Sequence, residues 1–357
     1  VIKSLDLGGT TKTCQLFCRY LMEYTDHETW LLYKSDSDLT RLPLFQEFMN
    51  KPGFHKIMAF NSEDSCNRLI KDLKPDIVHV YRGGVPEYPY ASLDYRLVIT
   101  NVFGFIDPSP LVAKDLFMSN WLMKAASNFL GWPYGAYRSG KNTWAKRFDF
   151  VNNPILPPAH GLSLPDYAFR GASIWLGRCG RQDNGIYDSI SVKAAFLLRH
   201  RGYDIKFLVM SPPPQMIKDM NEYDIPYRVF ATSVDEQNLS TFYNSIDIYA
   251  HARLDGESFG NNLAENLYHG HPVVTHIAVP SHPGMGVFQA QTEMITEDVG
   301  FVVEHNVADY ANALQRLIDN PDLRVKMGHA AFEKAKNEFD WRISGAKLNK
   351  IYEEILI

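Results

Sequence analysis

Short apolar runs alternate with helix-patterned segments along this 357-residue chain, and no other feature restricts its fold as strongly. Strands separated by helices have room for crossover connections, so they pair in parallel and are covered by helices on both faces. Ile2–Leu7 reads as a strand that runs into Gly8-Gly9-Thr10. A helix follows over about Thr11–Tyr24, with Cys14, Phe17, Cys18, Leu21 and Met22 on one face. Further strands are expected at Ile57–Phe60, Ile77–Tyr81, Leu97–Val102 and Phe148–Asn152, and the Pro-rich stretch Asn152–Pro165 reads as a linker. A second series then begins, with strands at Ser173–Leu176, Ile205–Met210, Tyr227–Phe230, Ile246–Ala250, Pro272–His276 and Gly300–Val303. Helices at Asp188–Arg199, Asp235–Tyr243 and Gly260–His269 lie between them, the last ending at Gly270 with Pro272 just beyond. Helices at about Val307–Asp319, Pro321–Phe339 and Trp341–Ile355 close the chain. The pattern predicts two doubly wound α/β domains of similar size with a cleft between them.

Composition narrows the function classes. Apolar residues at 45% and charged residues at 22% suit a globular enzyme and exclude a disordered chain. No apolar run approaches the ~18 residues of a membrane span, and no charged-then-apolar leader opens the sequence. A cytoplasmic protein is the expectation. Residues 1–150 carry 18 Lys+Arg against 16 Asp+Glu, so +2; the remainder carries 18 against 25, so −7. A nucleic-acid binder would show a basic stripe, so a small-molecule substrate fits better. The four cysteines, Cys14, Cys18, Cys66 and Cys179, lack the second pair or His cluster that would complete a zinc site. Reduced thiols and no metal site are expected.

In open parallel sheets, ligands bind beyond the carboxyl ends of the strands. Three stretches meet that condition. In Glu257-Ser258-Phe259-Gly260-Asn261-Asn262-Leu263-Ala264-Glu265, the first carboxylate sits in a loop after a buried strand and Gly260 lets a ligand approach the backbone. The following helix offers unpaired N–H groups to a diphosphate. Glu265 lies about a turn and a half into that helix, where a carboxylate can accept from ribose hydroxyls. Gly177-Arg178-Cys179-Gly180-Arg181, at another strand end, combines glycines with guanidinium groups that fork onto phosphate oxygens. Gly8-Gly9-Thr10 is a glycine turn between strand and helix, without a full dinucleotide or P-loop pattern.

These residues resemble a family. Gly256–Thr275 (GESFGNNLAENLYHGHPVVT) is similar to the donor-binding signature of the retaining glycosyltransferases of family 4, which have the GT-B fold. Glu257, Glu265, Gly270, Pro272, Val273 and Val274 all match it. Gly8-Gly9, Asp76–Val80, Asn152-Asn153-Pro154, Leu176-Gly177-Arg178 and Glu293–Val303 resemble further family segments. The resemblance implies two Rossmann-like, doubly wound parallel-sheet domains facing across a cleft. It places an acceptor-side domain at 1–160, a donor-binding domain at 161–340 and a last helix, 341–357, packed back on the first domain. It implies a hexosyltransferase-type retaining enzyme with no obligatory metal or other cofactor.

The resemblance also assigns roles. Glu257 would hold hydroxyls of the donor sugar and Glu265 those of the ribose. Ser258 and the backbone of Phe259, Gly260 and Asn261 would face the diphosphate and sugar, with Gly9 on the donor from the first domain. Arg178 would neutralise the leaving diphosphate. Glu257 would be a positioner, the donor's own phosphate taking the acceptor proton. The chain departs from the pattern in three places. The usual Lys-Gly is replaced by Asn184-Gly185, which leaves Arg181, then Arg253, to supply the second cation. Where a His commonly follows the strand near Leu97–Thr100, Asn101 or the Phe103-Gly104 backbone must serve. His251-Ala252-Arg253 replaces a common Pro-Ser pair, and His251 is expected to be a packed strand-end residue.

The expected partners are a UDP- or GDP-sugar donor and a glycan, lipid-linked or small-molecule acceptor. Trp132–Phe148 mixes four basic residues with aromatics, a combination that suits a solvated loop, a membrane surface or a sugar chain. Pro280–Gly286 reads as a loop near the donor, and the backbone of Phe230–Thr232 as the base reader. Two other readings remain: a sugar-nucleotide 2-epimerase of similar fold, and a non-catalytic nucleotide- or glycan-binding protein.

Overall fold

The computed structural model describes all residues except Leu7, 50–53, 84–86, 129–146, 160–172 and 281–286. The chain divides into two compact units, Val1–Ile155 with Phe339–Ile357, and Leu156–Glu338.

The first unit runs α1 (Gly9–Tyr24), β1 (Thr29–Lys34), α2 (Leu42–Met49), β2 (Phe54–Phe60), α3 (Glu63–Leu73), β3 (Ile77–Arg82), β4 (Arg96–Asn101), β5 (Val112–Phe117), α4 (Asn120–Asn128) and β6 (Phe148–Phe150). Its strands form a parallel pair, β1-β2, and a four-stranded parallel sheet, β3-β4-β5-β6. The expected strand over Ile2–Leu7 is reduced to one parallel bridge, Ile2 to Tyr33. After it the backbone turns aside: Leu5 donates to the Asp38 carbonyl, and the Leu5 carbonyl accepts from Arg41. Asp6 Oδ1 takes the Gly8 N–H and the Thr11 hydroxyl, so it organises the start of α1 instead of a ladder.

The second unit runs β7 (Ile174–Cys179), α5 (Ile190–His200), β8 (Ile205–Met210), α6 (Pro214–Glu222), β9 (Tyr227–Phe230), α7 (Glu236–Tyr243), β10 (Ile248–Ala250), α8 (Asn261–Tyr268), β11 (Val273–His276), α9 (Ala290–Met294), β12 (Gly300–Val303), α10 (Val307–Ile318) and α11 (Pro321–Glu338). One six-stranded sheet, β12-β11-β10-β7-β8-β9, is parallel throughout. Its core packs Leu176, Phe207, Val209, Ile248 and Val274 against Val192, Ala195 and Leu198 of α5 and Leu314 and Leu317 of α10. All are essentially without solvent contact, which makes this core the main source of apolar stabilisation in the unit.

The last helix, α12 (Trp341–Leu356), belongs to the first unit. Leu348, Ile351 and Tyr352 pack with Phe17 and Leu21 of α1 and Val98 and Leu116 of the sheet. Gly345 lets the two helices approach closely, since a Cβ there would lie 2.1 Å from the Tyr20 ring. Among the described residues, no helix is long and apolar enough to cross a membrane.

Candidate functional site

β7 is the first strand of the six-stranded sheet and β10 the fourth, yet they are neighbours. The chain order therefore reverses between them, which is where open α/β sheets bind ligands. The loops that leave these two strands carry the candidate residues of this unit.

Arg178 lies on β7, one residue before its end. It is only 6% exposed, and its Nη1 has no hydrogen-bond partner among the described residues. Burial pulls its pKa below the usual guanidinium value, opposed by Tyr249, Cys179 and Tyr187 and aided by the like charge of Arg253. A buried, charged donor without an acceptor is costly, and an anion at that position removes the cost. The loop after β7 is fixed by its neighbours. Cys179 N–H donates to Tyr249 Oη at 3.1 Å, and Tyr249 and the Asn262 amide donate back to the Cys179 carbonyl at 2.8 and 2.6 Å. The start of α8 is thereby tied to the strand that carries Arg178.

Glu257 is buried, not a solvated loop residue. Its Oε1 lies 3.2 Å from His251 Nε2, and its Oε2 lies 3.5 Å from Arg253 Nη1. Burial alone would raise its pKa. Arg253, then the hydrogen bond and charge of His251, and then Arg181 outweigh burial and hold it below the usual carboxylate value. The turn that delivers it needs glycine: Gly256 has φ +67°, and a Cβ there would sit 1.8 Å from the Phe288 carbonyl oxygen. Gly260, with φ +95°, occupies the cap position of α8 and supplies no side-chain cap to its first turn. Phe259 points into the core, so its contribution to a ligand is limited to backbone.

Glu265 is half-buried on α8, and its Oε2 accepts from Tyr243 Oη at 2.9 Å. Tyr243 is fully buried and stacks on His269. Burial and then the Glu265 charge raise the phenol pKa well above its usual value, so Tyr243 stays protonated and donates to Glu265. Ser258 and Asn261 are half-buried at the same end of the sheet.

Two expectations about cations and histidine change. Arg253 is held by Asp255 through Nε at 2.5 Å and Nη2 at 3.0 Å, as well as by Glu257. Its charge is committed to carboxylates, whereas Arg181 is exposed. His251 is packed at the end of β10, but it does more than fill space. Its Nδ1 meets Thr275 Oγ1 at 2.8 Å while Nε2 meets Glu257, so the ring orients that carboxylate. Local sequence could not reveal this contact or the Tyr243 contact, because both cross between elements.

Gly9, Asn101, Phe103 and Gly104 lie in the first unit. Gly9 is the first residue of α1. Asn101 is 1% exposed, and its amide donates to the buried Asp115 at 3.0 Å, so its side chain serves the sheet. Phe103 is exposed and Gly104 has φ +81°. Residues 132–146 of the basic-aromatic stretch, residues 281–286 of the expected donor loop and residues 160–165 of the linker lie outside the described residues.

Residues 190–334 match the family model described as glycosyl transferases group 1, a span that includes Glu257, Glu265 and their loop. This likeness to the group 1 glycosyl transferases spans 145 of the 357 residues. Solved glycosyltransferase structures share the fold of this chain over nearly its whole length. A glycosyltransferase from Rickettsia africae ESF-5 superposes with a TM-score of 0.71 at 16% identity, covering 99% of this chain and 97% of that one. Anabaena Alr3699/HepE, in complex with UDP and glucose, gives 0.68 at 12% identity, covering 99% and 98%. The fold is therefore GT-B, with two Rossmann-like units. D-inositol 3-phosphate glycosyltransferase of Corynebacterium aurimucosum is 32% identical over 120 residues, covering 34% of this chain and 26% of that protein. Staphylococcus aureus CapM, a capsular polysaccharide biosynthesis glycosyltransferase, is 24% identical over 221 residues, covering 59% and 52%. The chain thus matches between about a quarter and about half of the length of these curated relatives.

Proposed function

We propose that this protein transfers a hexosyl group from a nucleoside-diphosphate sugar to a hydroxyl of a glycan, lipid-linked or small-molecule acceptor, with retention at the anomeric carbon. The observation that carries the reading is the buried Arg178 guanidinium, whose Nη1 has no partner among the described residues, at the switch point of the sheet. Arg178 and the exposed Arg181 neutralise the diphosphate, so the leaving step needs no metal ion. The anomeric C–O bond to phosphate breaks, with its electron pair going to the diphosphate. The acceptor oxygen bonds to the same carbon from the same face, and its proton passes to a phosphate oxygen. Backbone groups of Phe259, Gly260 and Asn261, with Ser258, face the diphosphate and sugar.

The two carboxylates hold hydroxyls. Glu257, kept anionic by Arg253 and His251, positions the donor sugar. Glu265, whose Oε2 accepts from Tyr243, holds the ribose hydroxyls. The UDP and glucose bound by Anabaena HepE support a UDP-type donor. The decisive experiment is a thermal-shift screen of UDP, GDP, ADP and their sugars, followed by a transfer assay with the stabilising donor. Stabilisation by one nucleotide family, and donor consumption that depends on an acceptor, are expected. Donor conversion without an acceptor would indicate an epimerase, and no stabilisation by any nucleotide would remove the reading.

A further inference from the structure

Beside the Arg253 end of the carboxylate site, the second unit gathers three side chains of metal-ligating type from separate elements. Asp188 precedes α5, His276 ends β11 and His305 follows β12. One donor atom from each lies within 4.8 Å of the other two. We infer that Asp188, His276 and His305 form a binding site for a divalent cation of the zinc type.

The orientation of each donor supports this. His276 is 1% exposed, and its Nδ1 lies 3.0 Å from the Ile277 carbonyl, which accepts its N–H. That bond places the lone pair on Nε2, the arrangement by which metal-binding histidines are set in a structure. His276 Nε2 faces Asp188 Oδ2 at 3.6 Å, two acceptors opposed in a dry environment. The Arg253 N–H reaches that Nε2 at a long 3.3 Å, and metal binding costs this weak bond. Asp188 is buried as well, and its Oδ1 is fixed by the Ile190 N–H at 2.9 Å, which leaves Oδ2 for the cation.

His305 supplies the third donor and the route of entry. Its side chain is 33% exposed, and its Nε2 lies 2.6 Å from Asp188 Oδ2. The cation displaces the proton shared by that pair, as metals do when they bind protonated ligands. A tetrahedral zinc with bonds of ~2.0–2.1 Å keeps its donors about 3.3 Å apart. The 3.6 Å pair already meets this, and the 2.6 Å pair reaches it by a small rotation of the half-exposed His305. Two imidazoles and one carboxylate, with a fourth position open to water, select zinc, cobalt or nickel over magnesium or calcium. The sequence pattern gave no warning of this site, because 88 residues separate Asp188 from His276 and 29 separate His276 from His305.

The test reads metal directly, without the transfer reaction. Full-length protein stripped with chelator is titrated with zinc by calorimetry, and with cobalt by visible absorption. About one equivalent of zinc and the absorption bands of four-coordinate cobalt are expected. His305→Ala, at an exposed side chain, is expected to fold as the parent and to lose more than ~100-fold in zinc affinity, since losing even an outer partner of a ligand costs 10–100-fold. Asp188→Asn should show the same loss, while His329→Ala, an exposed histidine elsewhere, should leave binding unchanged. Zinc uptake by His305→Ala equal to that of the parent would overturn the inference, as would no uptake by the parent.

Discussion

Replacing Arg178 with Met should make the free protein more stable and its nucleotide binding worse. The guanidinium is 6% exposed and its Nη1 has no acceptor among the described residues, so the charge is held at a cost in the free state. Methionine keeps most of the apolar stem and removes the charge. Exchanging a buried ionic group for an apolar one of similar volume is neutral or stabilising by about 1–4 kcal/mol. With about 2 kcal/mol as the central value, the unfolding midpoint of the second unit should rise by ~4–8 °C. The parent protein should gain about 2.7 kcal/mol when its nucleotide is present at a hundred times Kd, and the variant should gain little at the same concentration. Differential scanning calorimetry with and without UDP measures both effects. A variant that melts below the parent without ligand would show that Arg178 is paired in the free protein. A variant with the parent's UDP shift would show that the guanidinium does not meet the phosphates.

Three other outcomes follow from the same geometry. Glu257 has a pKa below the usual carboxylate value, so its stabilising contribution is present above the unfolded pKa and lost as pH falls through the folded one. The stability gap between parent and Glu257→Gln, measured by urea unfolding, should therefore shrink from pH 7 toward pH 3, and a gap that does not change with pH contradicts the assignment. Tyr243→Phe removes a hydrogen bond to a charged group, worth about 1.5–3 kcal/mol. It should weaken UDP binding by roughly tenfold or more in calorimetry, whereas unchanged affinity would mean that Glu265 does not hold the ribose. Gly256→Ala places a Cβ 1.8 Å from the Phe288 carbonyl at φ +67°, so a loss of more than about 2 kcal/mol in unfolding free energy is expected. A stable variant would mean that the turn before Glu257 relaxes freely.

The order of strands and helices in the second unit was legible in the chain itself. Ile205–Met210, Tyr227–Phe230 and Gly300–Val303 are strands over the residues that the apolar runs indicate. Ile205–Met210 lies inside the sheet and is apolar on both faces, so its signal is local; Tyr227–Phe230 and Gly300–Val303 are short edge strands whose apolar residues still stand out between turns. The first unit was less legible. β1 and β5 carry polar and charged residues among their apolar ones, and their strand character comes from pairing with β2 and with β4 and β6. Ile2–Leu7 failed in the opposite way: an apolar run with no ladder to join, because Asp6 and Leu5 bond to the chain beyond it.

The Glu257–Glu265 spacing, the glycines around it and the guanidinium at a strand end were fixed by local chemistry, since each belongs to one loop or one helix. What surrounds those groups was decided only by the tertiary structure. Thr275 orients His251, His251 and Arg253 hold Glu257 anionic, and Tyr243 fixes one oxygen of Glu265. These contacts join residues from different strands and helices, and hydrogen bonds between elements leave no periodic trace in a sequence. The Arg178 charge is informative for the same reason: its burial, and an Nη1 with no partner among the described residues, exist only once β7 is in the sheet.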